Sequence, residues 1–431
     1  MKKKAFLTLI LTAVFSAGVF AAPTEVTFWT AFTPPFSDYL KTMVDQYNAS
    51  QSAVKATLVQ VPGSETDIAK LMTAVRGGTG PDVYMLDRFT TAQNAAAGVL
   101  EDLTPYIQKT DPNLASKYLP FAWAESQFRS HTYSLPFDTD TRGLYYRADL
   151  LKAAGIDISP LDIKNGPITV AKLKEIAFKY NKTDKNGAYT QIGFIPHLNQ
   201  GWHYTWGFAY GGKFADFKAG KVTPTDPGVV AGFQFLYDYY KALGPQKVRT
   251  FLSTYAPPNS PPEQDTFITG TVPIVITGDW NIASLAQYAP KAQWGVTYLP
   301  VPKAGDKPST WAGGWSYTIP KGAKQPAAAF DFIKWMTGET GQRIYTKISS
   351  HLPTIKALAG DASLFPGQHA FFQKTLAFAS SRPALPVGGI YWDALTEAMN
   401  AMIDNTALPQ AALKKAADTV QPQLDPYLPL Q

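Results

Sequence analysis

The sequence predicts an α/β fold, and three observations lead there. Short apolar runs of strand length alternate with amphipathic helical segments between residues 26 and 97. Hydrophobic residues make up 45% of the 431 and charged residues 17%, enough for a large core and too apolar for a disordered chain. The 32 Gly and 34 Pro suit many turns better than long bundles.

The elements follow in order. Val26–Trp29 reads as a strand, and a loop ends at Pro34 and Pro35. Phe36, Tyr39, Leu40, Met43, Val44 and Tyr47 recur at helical spacing, one buried stripe of an amphipathic helix. A second strand, 54–61, turns at Pro62-Gly63, and Ser64 with Asp67 resembles a capping box for a helix carrying Ile68, Leu71, Met72 and Val75. Gly77–Pro81 stops that helix, a third strand runs from Asp82 to Asp87, and another helix ends near Ala97. This alternation predicts a mostly parallel sheet covered on both faces, with ligands bound beyond the carboxyl ends of its strands, where Trp29 and Asp87 lie. Further on, helices are expected over 169–179 and 229–243, flanking the aromatic run Trp202–Gly212. An alternating strand is expected over 272–277 behind the Pro-rich segment 256–262. The last part reads as helices at 326–336, 371–378, 392–403 and 411–420.

Composition excludes several functions. With no Cys there is no disulfide, thiolate metal site, cysteine nucleophile or lipid-anchored cysteine. Lys2, Lys3 and Lys4 followed by the apolar run Ala5–Phe20 have the form of a secretory leader, with Val19 and Ala21 as small cleavage-site residues. Removing those lysines takes 39 basic residues to 36 against 33 acidic, a net +3 that gives no reason to expect a nucleic-acid partner. A periplasmic location without a lipid anchor is expected. The five His show no metal-ligand spacing, so neither a metal nor a cofactor is expected. No G-x-S-x-G elbow appears. Gly77–Gly80 ends a helix and enters a strand, the reverse of a phosphate loop.

Five phrases, in order, resemble the bacterial extracellular solute-binding proteins of sugar ABC importers. They are Ala74–Val83 with its Gly-x-x-Pro-Asp-Val core, Gly98–Ile107, and Leu135-Pro136 with Leu144–Leu151 and Ala154-Gly155-Ile156. Gly270–Ile274 with Gly278-Asp279-Trp280, and Gly313–Ser316 with Ile319-Pro320, complete the set. The resemblance covers about residues 24 to 350, and the implied protein is similar to maltose- and trehalose-binding proteins. It implies a two-lobe periplasmic-binding-protein fold (type II), with interleaved lobes joined by a hinge of crossing segments. Crossings are expected near 137–141, 277–281 and 318–322. The expected division is a leader, 1–22; lobe 1, 23–137 plus 280–319; and lobe 2, 138–279 plus 320–431. It further implies a monomeric binding protein, not an enzyme, that captures a di- or oligosaccharide by hinge closure and passes it to membrane permease subunits.

Carboxylates, Arg and aromatic rings suit a sugar's hydroxyls and C–H faces. The candidate ligand-binding residues are Trp29, Asp87, Arg88, Asp138, Asp140, Arg142, Trp202, His203, Trp206, Asp279, Trp280, Gly314 and Trp315. The resemblance places the sugar-binding carboxylate at Asp140 and the stacking aromatics at Trp280 and Trp315; Trp202, His203 and Trp206 enter on composition. Plainer roles are open for each: a helix cap for Asp87, a hinge ion-pair set for Asp138, Asp140 and Arg142, and core packing for the tryptophans. Trp123, Trp294, Trp311, Trp335 and Trp392 fit packing roles. The competing functions are an exported glycoside hydrolase, which also needs carboxylates and Trp platforms, and a binder of polyamine or metal on the same scaffold.

Overall fold

A computed structural model describes residues 22–61, 69–258 and 260–430. The expected leader, except Ala22, and the turn and capping box at 62–67 lie outside the described residues. The helix Phe36–Ser50 buries Leu40, Met43, Val44 and Tyr47, the stripe its sequence spacing requires.

Two sheets organise the molecule. The first has the order Val54–Gln60, Thr24–Thr30, Val83–Asp87, Trp315–Thr318, Leu135–Pro136. The second has the order Phe194–Asn199, Ile274–Gly278, Arg142–Arg147, Trp294–Thr297. The expected parallel pairing holds for the three N-terminal strands. It fails at Trp315–Thr318 and at Arg142–Arg147, each antiparallel to both its neighbours. These two strands enter their sheets from the junction between the lobes, so they run against strands that lead toward it. Ile274–Gly278 is buried along its whole length, as a central strand covered on both faces should be, rather than alternating.

The strand pairings correct the expected division. Trp294–Thr297 pairs with Arg142–Arg147, so this part of 280–319 belongs to the second sheet. The helices Pro326–Met336 and Glu339–Ser349 belong with the first lobe: Tyr47 packs on Phe332 and Trp335 at 4.9 and 5.5 Å, and Phe28 packs on Phe332 at 5.8 Å. Residues 137–141 connect Leu135–Pro136 of the first sheet to Arg142–Arg147 of the second. The other passages between the lobes are at 312–314 and between Asp361, bonded to Arg343 at 3.1 Å on the first lobe, and Gln368, which donates to the Trp294 carbonyl at 3.2 Å on the second; Leu352–Pro353, before the last of these, pairs with Asp138–Thr139. At 277–281 the chain turns back through the helix Asn281–Tyr288, and at 318–322 it stays on the first lobe, where Ile319 accepts a bond from the Glu101 amide at 2.8 Å. A strand that ends at the junction has the same local pattern whether the chain then crosses or turns back.

The aromatic run at 202–212 forms the helix His203–Ala209, packed on the helix Pro227–Leu243. Gly232 permits this contact, because a Cβ there would sit 2.5 Å from the Trp206 carbonyl oxygen.

Candidate functional site

The buried polar residues gather where the sheets meet the crossing segments. Asp87 ends its strand at 8% exposure and does not cap the next helix. Instead its carboxylate takes a two-pronged bond from Arg382, at 2.5 and 2.9 Å. Arg88 is fully buried. It donates to Glu125 at 2.7 Å, to the Asp138 carbonyl at 2.6 Å and to the Gly313 carbonyl at 2.5 Å. Its guanidinium thereby ties two crossing segments to the first lobe.

Asp138 and Asp140 lie on the first crossing and bind the second. Asp138 Oδ1 accepts from the Trp315 amide, and Asp140 Oδ1 from the Gly313 amide, both at 2.7 Å. Arg142 also donates to Asp140, reaches Gln200 at 3.1 Å, and lies 3.3 Å over the Trp311 ring. Gly314 has φ +125°, and a Cβ there would fall 2.3 Å from the Asp138 carbonyl oxygen and 2.7 Å from Arg88 Nη1. Only glycine fits between these crossings.

Asp279, at the end of its strand, bonds the Trp280 and Leu352 amides, each at 3.0 Å. Trp280 stacks on His351 at 5.3 Å, and His351 stacks on Tyr345 at 5.5 Å. Trp315 meets Phe32 edge-on at 4.6 Å. His203 lies against Trp392 at 4.5 Å, and Trp202 lies 5.6 Å from the same ring.

Two candidates lie elsewhere. Trp206 is a core residue of the second lobe, bonded to the Pro196 and Gly201 carbonyls at 3.2 and 3.0 Å. Trp29 packs with Leu71, Met72 and Val75, on the face of its strand opposite Phe28. The groove it lines with Val61 and Thr73 shares no residue with the central cluster. Conversely, Glu125, Trp311, His351, Arg382 and Trp392 belong to the cluster and were not among the candidates. Trp311 and Trp392 carried a composition signal, whereas Arg382 carried none.

The electrostatics are uneven. Burial, reinforced by Asp140, pushes Asp138 and Asp279 well above the usual carboxylate range. Burial would raise Asp140 too, but Arg142, His351 and the Gly313 amide hold it below that range. Burial lowers His351 to about 4, and burial with Arg382 nearby lowers His203 to about 3. Asp138 Oδ2 and the Nε atoms of Arg142 and Arg382 are buried with no hydrogen-bond partner among the described residues. The cluster therefore combines an ionised acceptor, carboxyls held toward their neutral form, unused donors and aromatic faces. Groups of this kind suit a polar, uncharged, hydroxyl-rich molecule. Among the described residues no His/Asp/Glu group is arranged to hold a metal ion.

Comparison with known proteins agrees with this architecture. The chain is 24% identical over 409 residues to the maltotriose-binding protein of Pyrococcus abyssi (strain GE5 / Orsay), spanning 92% of this chain and 82% of that protein. It is 23% identical over 386 residues to the galactooligosaccharide-binding protein of Bacillus subtilis (strain 168), spanning 86% of this chain and 83% of that one. The solved structure of CpMnBP1 with mannobiose bound superposes with a TM-score of 0.80 at 25% identity, covering 92% of this chain and 99% of that one. The model of the bacterial extracellular solute-binding protein family matches residues 42–373. The chain belongs to the bacterial extracellular solute-binding proteins, with their two-lobe α/β fold.

Proposed function

We propose that this protein is the periplasmic substrate-binding component of an ABC importer. In this reading it captures a di- or oligosaccharide between its lobes and delivers it to the permease as a monomer. The observation that carries the reading is the buried cluster of Asp87, Asp138, Asp140, Asp279, Arg142 and Arg382 among tryptophans, at the junction of the two sheets. Asp87 and Asp140 accept sugar hydroxyls, Asp138 and Asp279 donate or accept according to protonation, and Trp280 and Trp315 cover C–H faces. Sugar contacts to both lobes favour the closed arrangement by population shift. Arg88 and Gly314 act indirectly, by holding the crossings. His203 and Trp202 flank the site through Trp392, and Trp29 and Trp206 take no part.

Titration calorimetry with maltotriose, mannobiose and a galactooligosaccharide tests this. Saturable binding of at least one, with the sugar recovered intact by chromatography, is the expected result. Binding of none would overturn the sugar reading. Binding with turnover would replace it by a glycoside hydrolase.

A further inference from the structure

Arg382 follows the short strand Ala379–Ser381, which pairs with Thr310–Ala312, and precedes the helix Gly388–Ile403. That helix packs within the second lobe, where Tyr391 donates to the Phe214 carbonyl at 2.8 Å. Asp87 belongs to the first sheet. Their paired hydrogen bonds therefore join the two lobes, between residues 295 positions apart. The pair is nearly dry, with side-chain exposures of 5% and 11%. The guanidinium is held 4.0 Å from the Phe89 ring and 5.1 Å from Trp311, one ring in the first lobe and one at the crossing. Alongside, Gln93 of the first lobe accepts from the Gly389 amide at 2.5 Å.

We propose that Arg382 is a positioning residue that ties the lobes together through Asp87 and fixes the orientation of that carboxylate for the ligand. The fork of the guanidinium defines both carboxylate oxygens at once, which an ammonium group cannot do. Both terminal nitrogens are on Asp87, so the guanidinium reaches the ligand only through that carboxylate. This assignment rests on the interlobe site described above, and its test is chosen so that the two can fail separately.

The chain has no Cys, so Lys109→Cys and Lys241→Cys provide unique spin-label positions on exposed helices, one in each lobe. Interlobe distances are then measured by pulsed electron resonance in the full protein without added sugar. Arg382→Gln is expected to shift the distribution to longer distances, and Arg382→Lys to restore part of the short-distance population. Asp87→Asn should match Arg382→Gln, and the double variant should go no further. A distribution unchanged in Arg382→Gln, or additive shifts in the double variant, would overturn the tie. If Arg382→Gln does not fold, Asp87→Asn carries the same distance test. Stopped-flow tryptophan fluorescence with maltotriose and mannobiose reads the second role. Dissociation should quicken by about tenfold in Arg382→Gln, with association changed by less than about threefold, because loosening the closed arrangement around the ligand acts mainly on its rate of release. Equal off-rates would remove that role. If wild type binds neither sugar, the sugar reading fails while the distance measurement still decides the tie.

Discussion

Replacing Arg88 by Met is the most informative single test of how the crossings are held. Met fills much of the side-chain stem but removes three donors, to the Glu125 carboxylate and to the Asp138 and Gly313 carbonyls. Glu125 would remain buried, at 7% side-chain exposure, without its counter-ion. Breaking a buried pair by removing one partner costs about 3–5 kcal/mol, and each carbonyl stripped of its donor about 1 kcal/mol more. Relaxation offsets part of that sum, so the expected loss is about 4 kcal/mol at pH 7. Urea unfolding followed by tryptophan fluorescence measures it. The chemistry also fixes a sign. Burial already raises Glu125 above its ordinary 4.5 despite Arg88, and losing Arg88 raises it further. A carboxyl whose folded value is raised binds protons more readily folded than unfolded, so its penalty is largest above the folded value and vanishes below about 4.5. The Arg88→Met deficit should shrink as pH falls toward 5, and Arg88→Met/Glu125→Gln should be more stable than Arg88→Met alone at pH 7. A deficit under about 1 kcal/mol, or a double variant no better than the single one, would refute the clamp.

Three further outcomes are expected. Gly314→Ala, with φ +125° and a Cβ 2.3 Å from the Asp138 carbonyl oxygen, should lose about 3 kcal/mol in a urea titration, combining backbone strain with overpacking. His203 is lowered to about 3, so the folded protein takes up fewer protons than the unfolded chain below pH 6.5 and loses stability as pH falls. His203→Phe should remove about 2 kcal/mol of the destabilisation between pH 7.5 and 5, read from paired urea midpoints. Trp280→Ala should weaken sugar binding by about 1–2 kcal/mol in calorimetry, whereas Trp206→Phe should lower the unfolding midpoint and leave the dissociation constant unchanged.

Much of the fold was legible because its signals are local. The stripe from Phe36 to Tyr47 and the run Val83–Asp87 each specify their element from neighbouring residues. Direction was not legible: nothing within Trp315–Thr318 or Arg142–Arg147 records that the chain arrives from the other lobe. The same blindness misplaced two of the three crossings. At the candidate site, Asp87, Asp138, Asp140, Asp279 and Trp280 stood out because motifs or strand ends carried them. Arg382 sits in a loop without a motif, and its partner is 295 residues away, so only the folded chain brings them together. Trp206 shows the opposite error, a tryptophan marked by aromatic company that proves to be core.

The position of Trp315–Thr318 between Val83–Asp87 and Leu135–Pro136 also dictates the order in which the molecule can be assembled. As the chain is synthesised, every strand of the second sheet appears before this missing piece of the first. Until then Val83–Asp87, fully buried in the finished protein, has one row of amides and carbonyls unpaired and open to neighbouring chains. A fragment stopping at residue 136 would keep that edge permanently and should aggregate rather than fold. Completion of the first lobe is therefore a long-range, late event, which makes folding slow and leaves the newborn chain dependent on protection from its neighbours.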